Sequence, residues 1–271
     1  MGVFKDILGS DESVFKNSVA LDYDYMPKLI PYRENEQKQI AYCIKPLFQK
    51  RNGRNLIITG QPGIGKTVAC KHVLQELEEE TDEIVPLYVN CWQKNTTFKI
   101  MTELCEALGL KFIHNKKTEE LFSMVKRAVN KSSAVFVFDE IDKVEDYDFL
   151  YSVLEEIYRK SIILITNYAS WATNMDSRIK SRLLPERIDF RPYNAQETYG
   201  ILKQRRDYAF VVGVWDEDAF NKITNHVVSG GKGDIRVGLY LLREAGNYAE
   251  DMSSRKITAE HAQKAIDKLR D

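Results

Sequence analysis

A glycine-rich segment, residues 60–67 with the sequence GQPGIGKT, has the residue types and the spacing that bind a polyphosphate. It fits the pattern G-x-x-x-x-G-K-[ST] at every required position. The glycines let backbone N–H groups face the phosphates, while Lys66 reaches the outer phosphates and the Thr67 hydroxyl holds Mg²⁺. An apolar run at 55–59 precedes the segment and a helical pattern at 66–80 follows it. This strand–loop–helix context favours a nucleotide site over the alternative, a glycine turn that happens to precede Lys-Thr.

Two carboxylates, Asp139 and Glu140, directly follow a second apolar run at 134–138. A continuous apolar run is typical of a parallel strand that is buried on both faces. Ligands of open α/β sheets bind at the carboxyl ends of such strands. We therefore expect Asp139 to hold Mg²⁺ through water and Glu140 to orient and polarise an attacking water. A solvated acidic loop is the alternative, which the presence of the phosphate loop disfavours.

The elements that must position these residues alternate between helix and strand in the first part of the chain. The patterns predict helices at 34–50, 66–80, 98–108, 119–130 and 147–159, and strands at 56–59, 84–89, 135–138, 161–166 and 187–190. Such alternation indicates a parallel sheet with helices on both faces. The fold class is therefore α/β, with residues 1–190 forming the nucleotide-binding domain.

The character of the sequence changes near residue 191. Beyond that point the patterns predict four helices, at 195–210, 216–228, 234–250 and 258–270, and no strand. Asn194 precedes Glu197 by three residues, which is the spacing of an N-terminal helix cap. Residues 191–271 are therefore expected to form a small all-helical domain.

Composition limits the class of protein. The 271 residues carry a net charge of −1, so no overall positive field attracts nucleic acid and any DNA contact must come from a local patch. The four cysteines form no C-x-x-C pair and are expected to be reduced, mostly buried thiols. No apolar run approaches the roughly 20 residues of a membrane span, and no signal peptide is evident. We expect a cytoplasmic or otherwise intracellular protein with no membrane partner.

Further segments resemble the AAA+ ATPases, and within them the origin-recognition and cell-division-control initiators of archaea and eukaryotes. Residues 14–36 look like that family's leader, which wraps the adenine, and residues 31–36 carry its P-x-R-E-x-E signature. The other matching segments are YVNC at 88–91, FDEID at 138–142, ITN at 165–167, RIKSRL at 178–183, IDFRPYNA at 188–195 with Glu197, and GDIR at 233–236. The resemblance spans nearly the whole chain.

The resemblance implies a P-loop AAA+ domain followed by a helical lid, with ATP or ADP and Mg²⁺ as ligands. It implies Thr67 and Asp139 as the residues that hold the metal. The residues that it places against the nucleotide are Tyr25, Pro27, Arg33, Gln61, Pro62, Gly63, Ile64, Gly65, Lys66, Thr67, Val68, Tyr193, Ile201 and Arg236.

Three more roles follow from the same resemblance. Asn167 would bridge the water on Glu140 and the γ-phosphate, with an ordinary turn asparagine as its alternative. Arg236 would contact the outer phosphates from the lid, unless it is a solvated residue at a helix start. Arg182 would act as an arginine finger on a neighbouring subunit's nucleotide. Arg178 is the second candidate for that role. The alternative is that both residues are ordinary surface arginines.

The family's usual DNA-reading elements are only partly represented. Family members commonly continue into a winged-helix domain, whereas this sequence ends at residue 271, as a truncated chain or a short relative would. A second DNA contact in the family is a helical insertion, which matches residues 108–118. Lys111, Lys116 and Lys117 are its candidate phosphate contacts, with Phe112 as the interleaved aromatic residue. A solvated charged loop is the alternative.

Three functions are compatible with these residues to different degrees. The first is an ATP-dependent replication initiator that binds origin-like double-stranded DNA, acts with neighbouring AAA+ subunits and helps to load a replicative helicase, with slow hydrolysis unless a partner supplies its arginine. The second is an AAA+ regulator that remodels a protein partner without sequence-specific DNA binding. The third, a small-molecule phosphotransferase, is disfavoured because Arg182 and Arg236 match an assembly ATPase.

Overall fold

The computed structural model describes residues 13–173, 175–230 and 233–269. These residues form two units. The α/β unit comprises Tyr32–Arg191, and the helical unit combines the leader that ends at Pro31 with the chain from Pro192 onward.

The α/β unit is built on a five-stranded sheet in which every pairing is parallel. Its strands are β1 (Leu56–Thr59), β2 (Ile84–Asn90), β3 (Ser133–Asp139), β4 (Lys160–Ile165) and β5 (Glu186–Asp189), in the order β2-β3-β4-β1-β5. All five lie where the sequence predicts strands. Because the strands are parallel, their carboxyl ends meet at one edge of the sheet, and the loops that follow β1, β3 and β4 open side by side.

The helices of this unit are α1 (Glu34–Ile44), α2 (Lys66–Glu80), α3 (Thr97–Ala107), α4 (Thr118–Val129), α5 (Asp148–Glu156) and α6 (Ser177–Leu183). The first predicted helix, 34–50, changes character at Lys45, where a 3₁₀ helix continues to Gln49. Pro46 at its start lacks a backbone N–H, and Lys50 closes it in the left-handed region with φ 55°. The short helix α6 was not predicted as an element.

Strand β3 is buried along its whole length. All seven of its residues are buried, and the Phe138 ring packs edge-on against Phe149 of α5 with 4.9 Å between centroids. Apolar residues of α3 and α4 complete this core, including Leu104, Leu121 and Val125. The rigid strand therefore holds Asp139, its last residue, in a fixed place.

The helical unit contains α7 (Ala195–Ala209), α8 (Glu217–Ser229), α9 (Ile235–Asp251) and α10 (Ala259–Lys268). All four match predicted helices. The predicted cap is present at α7, where Asn194 Oδ1 accepts from Glu197 N and Glu197 Oε2 accepts from Asn194 N.

The leader packs within the helical unit. The Phe15 ring lies 4.7 Å from that of Phe210, and the backbone N–H groups of Lys16 and Asn17 both donate to Ala209 O. Glu250 Oε1 accepts from Val14 N at 3.1 Å. The sequence patterns predict that this segment belongs to the α/β domain, residues 1–190. The contacts described here are instead with helices of the helical unit.

No helix within the described ranges combines the length and the apolar composition needed to cross a membrane. The four cysteines are free and buried, which confirms the prediction of buried thiols.

Candidate nucleotide-binding site

The loop after β1 has the backbone conformation that its glycines predict. Gly60, Gly63 and Gly65 have φ angles of 143°, 75° and 87°, in the region that side chains disfavour. A Cβ at Gly60 would also lie 2.6 Å from the carbonyl oxygen of Phe190. Ile64 is 1% exposed and anchors the loop in the core. The loop is thus fixed at its base and ends at the N-terminus of α2, where the helix dipole favours an anion.

Lys66, the first residue of α2, joins two parts of the predicted site. Its ammonium donates to the carbonyl oxygens of Gly60 and Gln61, both at 2.7 Å, and to Asn167 Oδ1 at 2.8 Å. The side chain is buried, although it carries a charge. The structure therefore brings Lys66 and Asn167 together at the carboxyl edge of the sheet.

Asp139, at the end of β3, is held through both of its carboxylate oxygens. Oδ2 accepts from Thr67 Oγ1 at 2.6 Å and from the Tyr88 hydroxyl at 2.9 Å, while Oδ1 accepts from Glu140 N at 2.9 Å. The carboxylate is almost fully buried. The two residues predicted to hold the metal are thus in direct contact, and Tyr88 joins them as a third member.

The backbone of Glu140 lies in the left-handed region, with φ 54° and ψ 42°. A residue other than glycine pays on the order of 1–3 kcal/mol for such a conformation. The carbonyl oxygen of Glu140 accepts from Lys143 N and so closes the short 3₁₀ turn Ile141–Lys143. The strain lies at the residue predicted to orient the attacking water.

Burial controls protonation around Asp139. Burial raises the pKa of the Tyr88 hydroxyl strongly, and the charge of Asp139 raises it further. The pKa values of the Cys70 and Cys91 thiols are raised by burial and then by Asp139. Tyr88 therefore remains a hydrogen-bond donor to the carboxylate at neutral pH.

The chemistry of these groups fits Mg²⁺ that is shared with a nucleotide. The described residues contain no cluster of three or more His, Cys, Asp or Glu side chains that would hold a metal by itself. Mg²⁺ commonly takes one or two protein oxygen ligands and completes its shell with phosphate and water. Thr67 would supply one such ligand, and Asp139, whose Oδ2 lies 2.6 Å from Thr67 Oγ1, would hold the ion through water.

Arg33 lies beneath the phosphate loop. It is fully buried, and its guanidinium donates twice to Ile64 O, at 3.0 and 3.2 Å, and to Arg191 O at 2.6 Å. Glu36 pairs with it at 2.7 Å, and the Phe190 ring lies 5.0 Å away. The sequence placed Arg33 against the nucleotide; these contacts make it a support for the loop backbone.

The two finger candidates lie on α6 and have partners within the same unit. Arg182 pairs with Glu155, donates to Arg178 O at 3.0 Å, and lies 5.0 Å from the Tyr151 ring. Arg178 pairs with Asp176, the N-cap of α6, at 3.0 Å and is the more exposed of the two. Arg182 as the finger stays a prediction.

The remaining nucleotide residues proposed from the leader and lid lie in the helical unit. Tyr193 and Ile201 are buried, as is Pro27, and Tyr25 is held by Arg205, whose guanidinium lies 4.8 Å from its ring. Arg205 NH2 also donates to Tyr25 O at 3.3 Å, a contact that sequence reasoning missed. Arg236 pairs with Asp234, the N-cap of α9, at 2.9 Å. Their contact with nucleotide, and that of Val68 on α2, stays a prediction.

The segment matched to the family's helical insertion is an irregular loop between α3 and α4. Phe112 is 86% exposed and has a φ of 59°. Lys111 is exposed, Lys116 lies 3.6 Å from Glu120, and Lys117 is the N-cap of α4. Residues 110–117 thus connect the two helices without a helix of their own, and their contact with DNA stays a prediction.

The sheet order, the phosphate loop after β1 and the acidic end of β3 define a P-loop ATPase of the AAA+ class. A family model described as an AAA domain matches residues 49–168, and one described as a Cdc6 AAA+ ATPase-type lid domain matches residues 199–267.

Similarity to known proteins assigns the chain to one family within this class. The ORC1-type DNA replication protein 1 of Sulfurisphaera tokodaii is 35% identical over 268 residues, covering 94% of this chain and 67% of the relative. The ORC1-type DNA replication protein 2 of Methanothermobacter thermautotrophicus is 31% identical, with 97% and 72% covered. The structure of Aeropyrum pernix ORC1 in complex with DNA has a TM-score of 0.85 at 27% identity, covering 96% of this chain and 71% of that one. The chain belongs to the family of ORC1-type DNA replication proteins.

Proposed function

We propose that this protein is an ATP-dependent initiator of DNA replication that binds and hydrolyses MgATP and acts on duplex DNA. The observation that carries the proposal is the meeting of the phosphate loop with the ends of β3 and β4. Lys66 contacts Asn167, and Thr67 contacts Asp139, although each pair is far apart in sequence. Family membership supports an ATPase that serves replication.

Each side chain has a distinct part in hydrolysis. The loop N–H groups and Lys66 would hold the β- and γ-phosphates. Thr67 and Asp139 would hold Mg²⁺, which neutralises charge on the phosphate oxygens. Glu140 would orient the attacking water and accept its proton, while the Asn167 amide would fix the water against the γ-phosphate. None of these roles requires a covalent intermediate on the protein.

Turnover by the isolated chain is expected to be slow. Phosphoryl transfer gains about 10³- to 10⁵-fold from an arginine that neutralises charge in the transition state. Arg182 is the candidate, and its exposed pairing with Glu155 is weak enough to be exchanged for a neighbour's phosphate. This supports neighbouring AAA+ subunits as partners, with a replicative helicase as the further partner.

Duplex DNA is proposed as the second ligand. The solved Aeropyrum pernix relative is described in complex with DNA. On this chain the loop that carries Lys111, Lys116 and Lys117 is the candidate source of phosphate contacts. ATP, Mg²⁺ and chromosomal DNA are all found inside the cell, which supports an intracellular, cytoplasmic site of action.

Nucleotide binding and hydrolysis are tested with three variants. Lys66→Ala should abolish ATP binding in calorimetry, and Glu140→Gln should bind ATP normally but hydrolyse it far more slowly. Glu145→Gln, which changes an exposed carboxylate five residues away, is the matched control and should behave as wild type. Wild-type affinity in Lys66→Ala, or wild-type turnover in Glu140→Gln, would contradict the proposed site.

DNA action is tested separately by fluorescence anisotropy on duplex DNA from 50 to 300 mM salt, with ATP and with ADP. Binding that weakens steeply with salt and differs between the nucleotides supports the initiator. Absence of DNA binding in both nucleotide states, beside normal ATPase activity, would favour an AAA+ regulator that acts on a protein partner.

A further inference from the structure

Tyr88 contacts Asp139, which together with Thr67 is proposed to hold the metal, from the neighbouring strand β2. It lies on β2, two residues before the strand ends, and its hydroxyl donates to the same Asp139 oxygen that Thr67 contacts. Asp139 Oδ2 thus receives hydrogen bonds from α2 on one side and from β2 on the other. The carboxylate is therefore oriented by two elements rather than by its own backbone alone.

The register of the sheet produces this contact. In the β2–β3 ladder Asn90 is paired with Asp139, and Tyr88 is paired with Val137. Residues two apart on a strand share one face, so Tyr88 lies on the same face as Asn90, two positions upstream. A tyrosine side chain is long enough to reach forward to the carboxylate, which leucine or valine at this position would not contact.

The ring of Tyr88 is held in place independently of its hydroxyl. The ammonium of Lys71, one turn after Thr67 on α2, lies 4.5 Å from the ring centroid. A cation over an aromatic face is attracted by the negative charge on the face of the ring. Because this contact involves the ring, removal of the hydroxyl alone leaves it in place.

We propose that Tyr88 is a positioning residue that orients the Asp139 carboxylate for the Mg²⁺ of bound MgATP. Groups that hydrogen-bond to a metal-binding carboxylate fix its orientation, and their loss commonly lowers metal affinity or activity by about 10- to 100-fold. The inference rests on the proposed function, since it concerns the metal that ATP brings.

The test is Tyr88→Phe, which keeps the ring and removes only the donor. ATP affinity is measured by calorimetry with Mg²⁺ and in EDTA, and ATPase activity is titrated with Mg²⁺. We expect the affinity in EDTA to equal that of wild type, the gain in affinity from Mg²⁺ to shrink, and the Mg²⁺ concentration for half-maximal activity to rise by about 10-fold or more. Excess Mg²⁺ should restore much of the turnover.

Tyr147→Phe is the matched control, because it removes a hydroxyl that accepts from Trp171 in the same unit at 2.9 Å. It should leave the Mg²⁺ titration unchanged. A Tyr88→Phe protein that melts at a lower temperature or loses activity, but keeps the wild-type Mg²⁺ titration, would show a structural role and overturn the inference. If wild type shows no Mg²⁺-dependent ATP binding, the proposed function itself fails.

Discussion

The ammonium of Lys66 donates a 2.8 Å hydrogen bond to Oδ1 of Asn167, across 101 positions of sequence. Lys66 opens the helix after the phosphate loop, and Asn167 follows β4, the strand that pairs with β1. The parallel pairing of β1 with β4 places both residues at the same edge of the sheet. A change in the position of Asn167 is therefore transmitted directly to the lysine that binds phosphate.

Replacement of Asn167 by alanine should slow hydrolysis more than it weakens binding. The amide contributes to the position of the water and of Lys66, whereas most phosphate contacts come from the loop backbone. We expect the single-turnover rate to fall by about 10²-fold, the scale for loss of one preorganised polar group, with a much smaller change in ATP affinity. Asn247→Ala, on the exposed face of α9, should have no effect. An equal loss of rate and affinity would assign Asn167 to ground-state binding instead.

Arg182 should act on the site of a neighbouring subunit. Arg182→Ala and Glu140→Gln should each have low ATPase activity alone, because one lacks the finger and the other lacks the carboxylate that orients water. Mixed together, they should recover part of the activity, since one interface of a mixed assembly contains both intact residues. Arg178→Ala is the matched comparison, one turn away on α6. No recovery in mixtures that are shown to co-assemble would argue against action in trans.

The loop between α3 and α4 should contribute salt-dependent DNA affinity. The variant Lys111→Ala/Lys116→Ala/Lys117→Ala should bind duplex DNA more weakly at low salt, with the salt slope lowered by about 0.9 for each lost phosphate contact. ATP affinity should be unchanged. A control variant with three alanines at Lys203, Lys222 and Lys264 removes the same charge from the helical unit and should retain the wild-type slope. Identical curves for the loop variant and wild type would make the loop a solvated connection.

The stability of the protein should fall in alkaline solution. Burial, with Glu186 as a second cause, raises the pKa of the Cys43 thiol from 9.0 to about 12. Between these values the unfolded chain loses the proton while the folded chain retains it. The folded state therefore loses the contribution of this thiol as pH rises from 9 to 12. Urea unfolding should give a lower free energy of unfolding at pH 10.5 than at pH 8, with a smaller decrease in Cys43→Ala. An equal decrease in both proteins would assign the effect to other groups.

Much of the fold was predictable because its signals are local. Apolar runs identified the five strands, and the helical pattern with an Asn194 cap identified α7. The seven-residue helix α6 was missed because it spans only two turns, too few for a clear period. The switch to a 3₁₀ helix at Lys45 depends on how Pro46 is accommodated, which periodicity does not report.

In the candidate site too, residues that are close in sequence were predictable, and contacts between distant segments were not. The phosphate loop and Asp139 were predictable from consecutive residues. The contacts of Tyr88 with Asp139 and of Arg33 with Ile64 were not, because each depends on the packing of segments that are distant in sequence. Tyr88 and Arg33 both lie within segments singled out for the resemblance, so their identity was visible although their contacts were not. In the segment matched to the family's helical insertion, residues 108–117 form an irregular loop, because the left-handed backbone of Gly109, Phe112 and Asn115 is incompatible with a continuous helix.

The contacts of the leader with the helices affect the order in which the two units can fold during synthesis. The α/β unit is one continuous stretch, Tyr32–Arg191, inserted between the two parts of the helical unit. During synthesis the α/β unit can close its core as soon as β5 has emerged from the ribosome. Phe15 and its neighbours are synthesised before the α/β unit, whereas their partners Phe210 and Glu250 are synthesised after it. The leader therefore lacks these partners until the whole α/β unit and the helices that follow it have been synthesised.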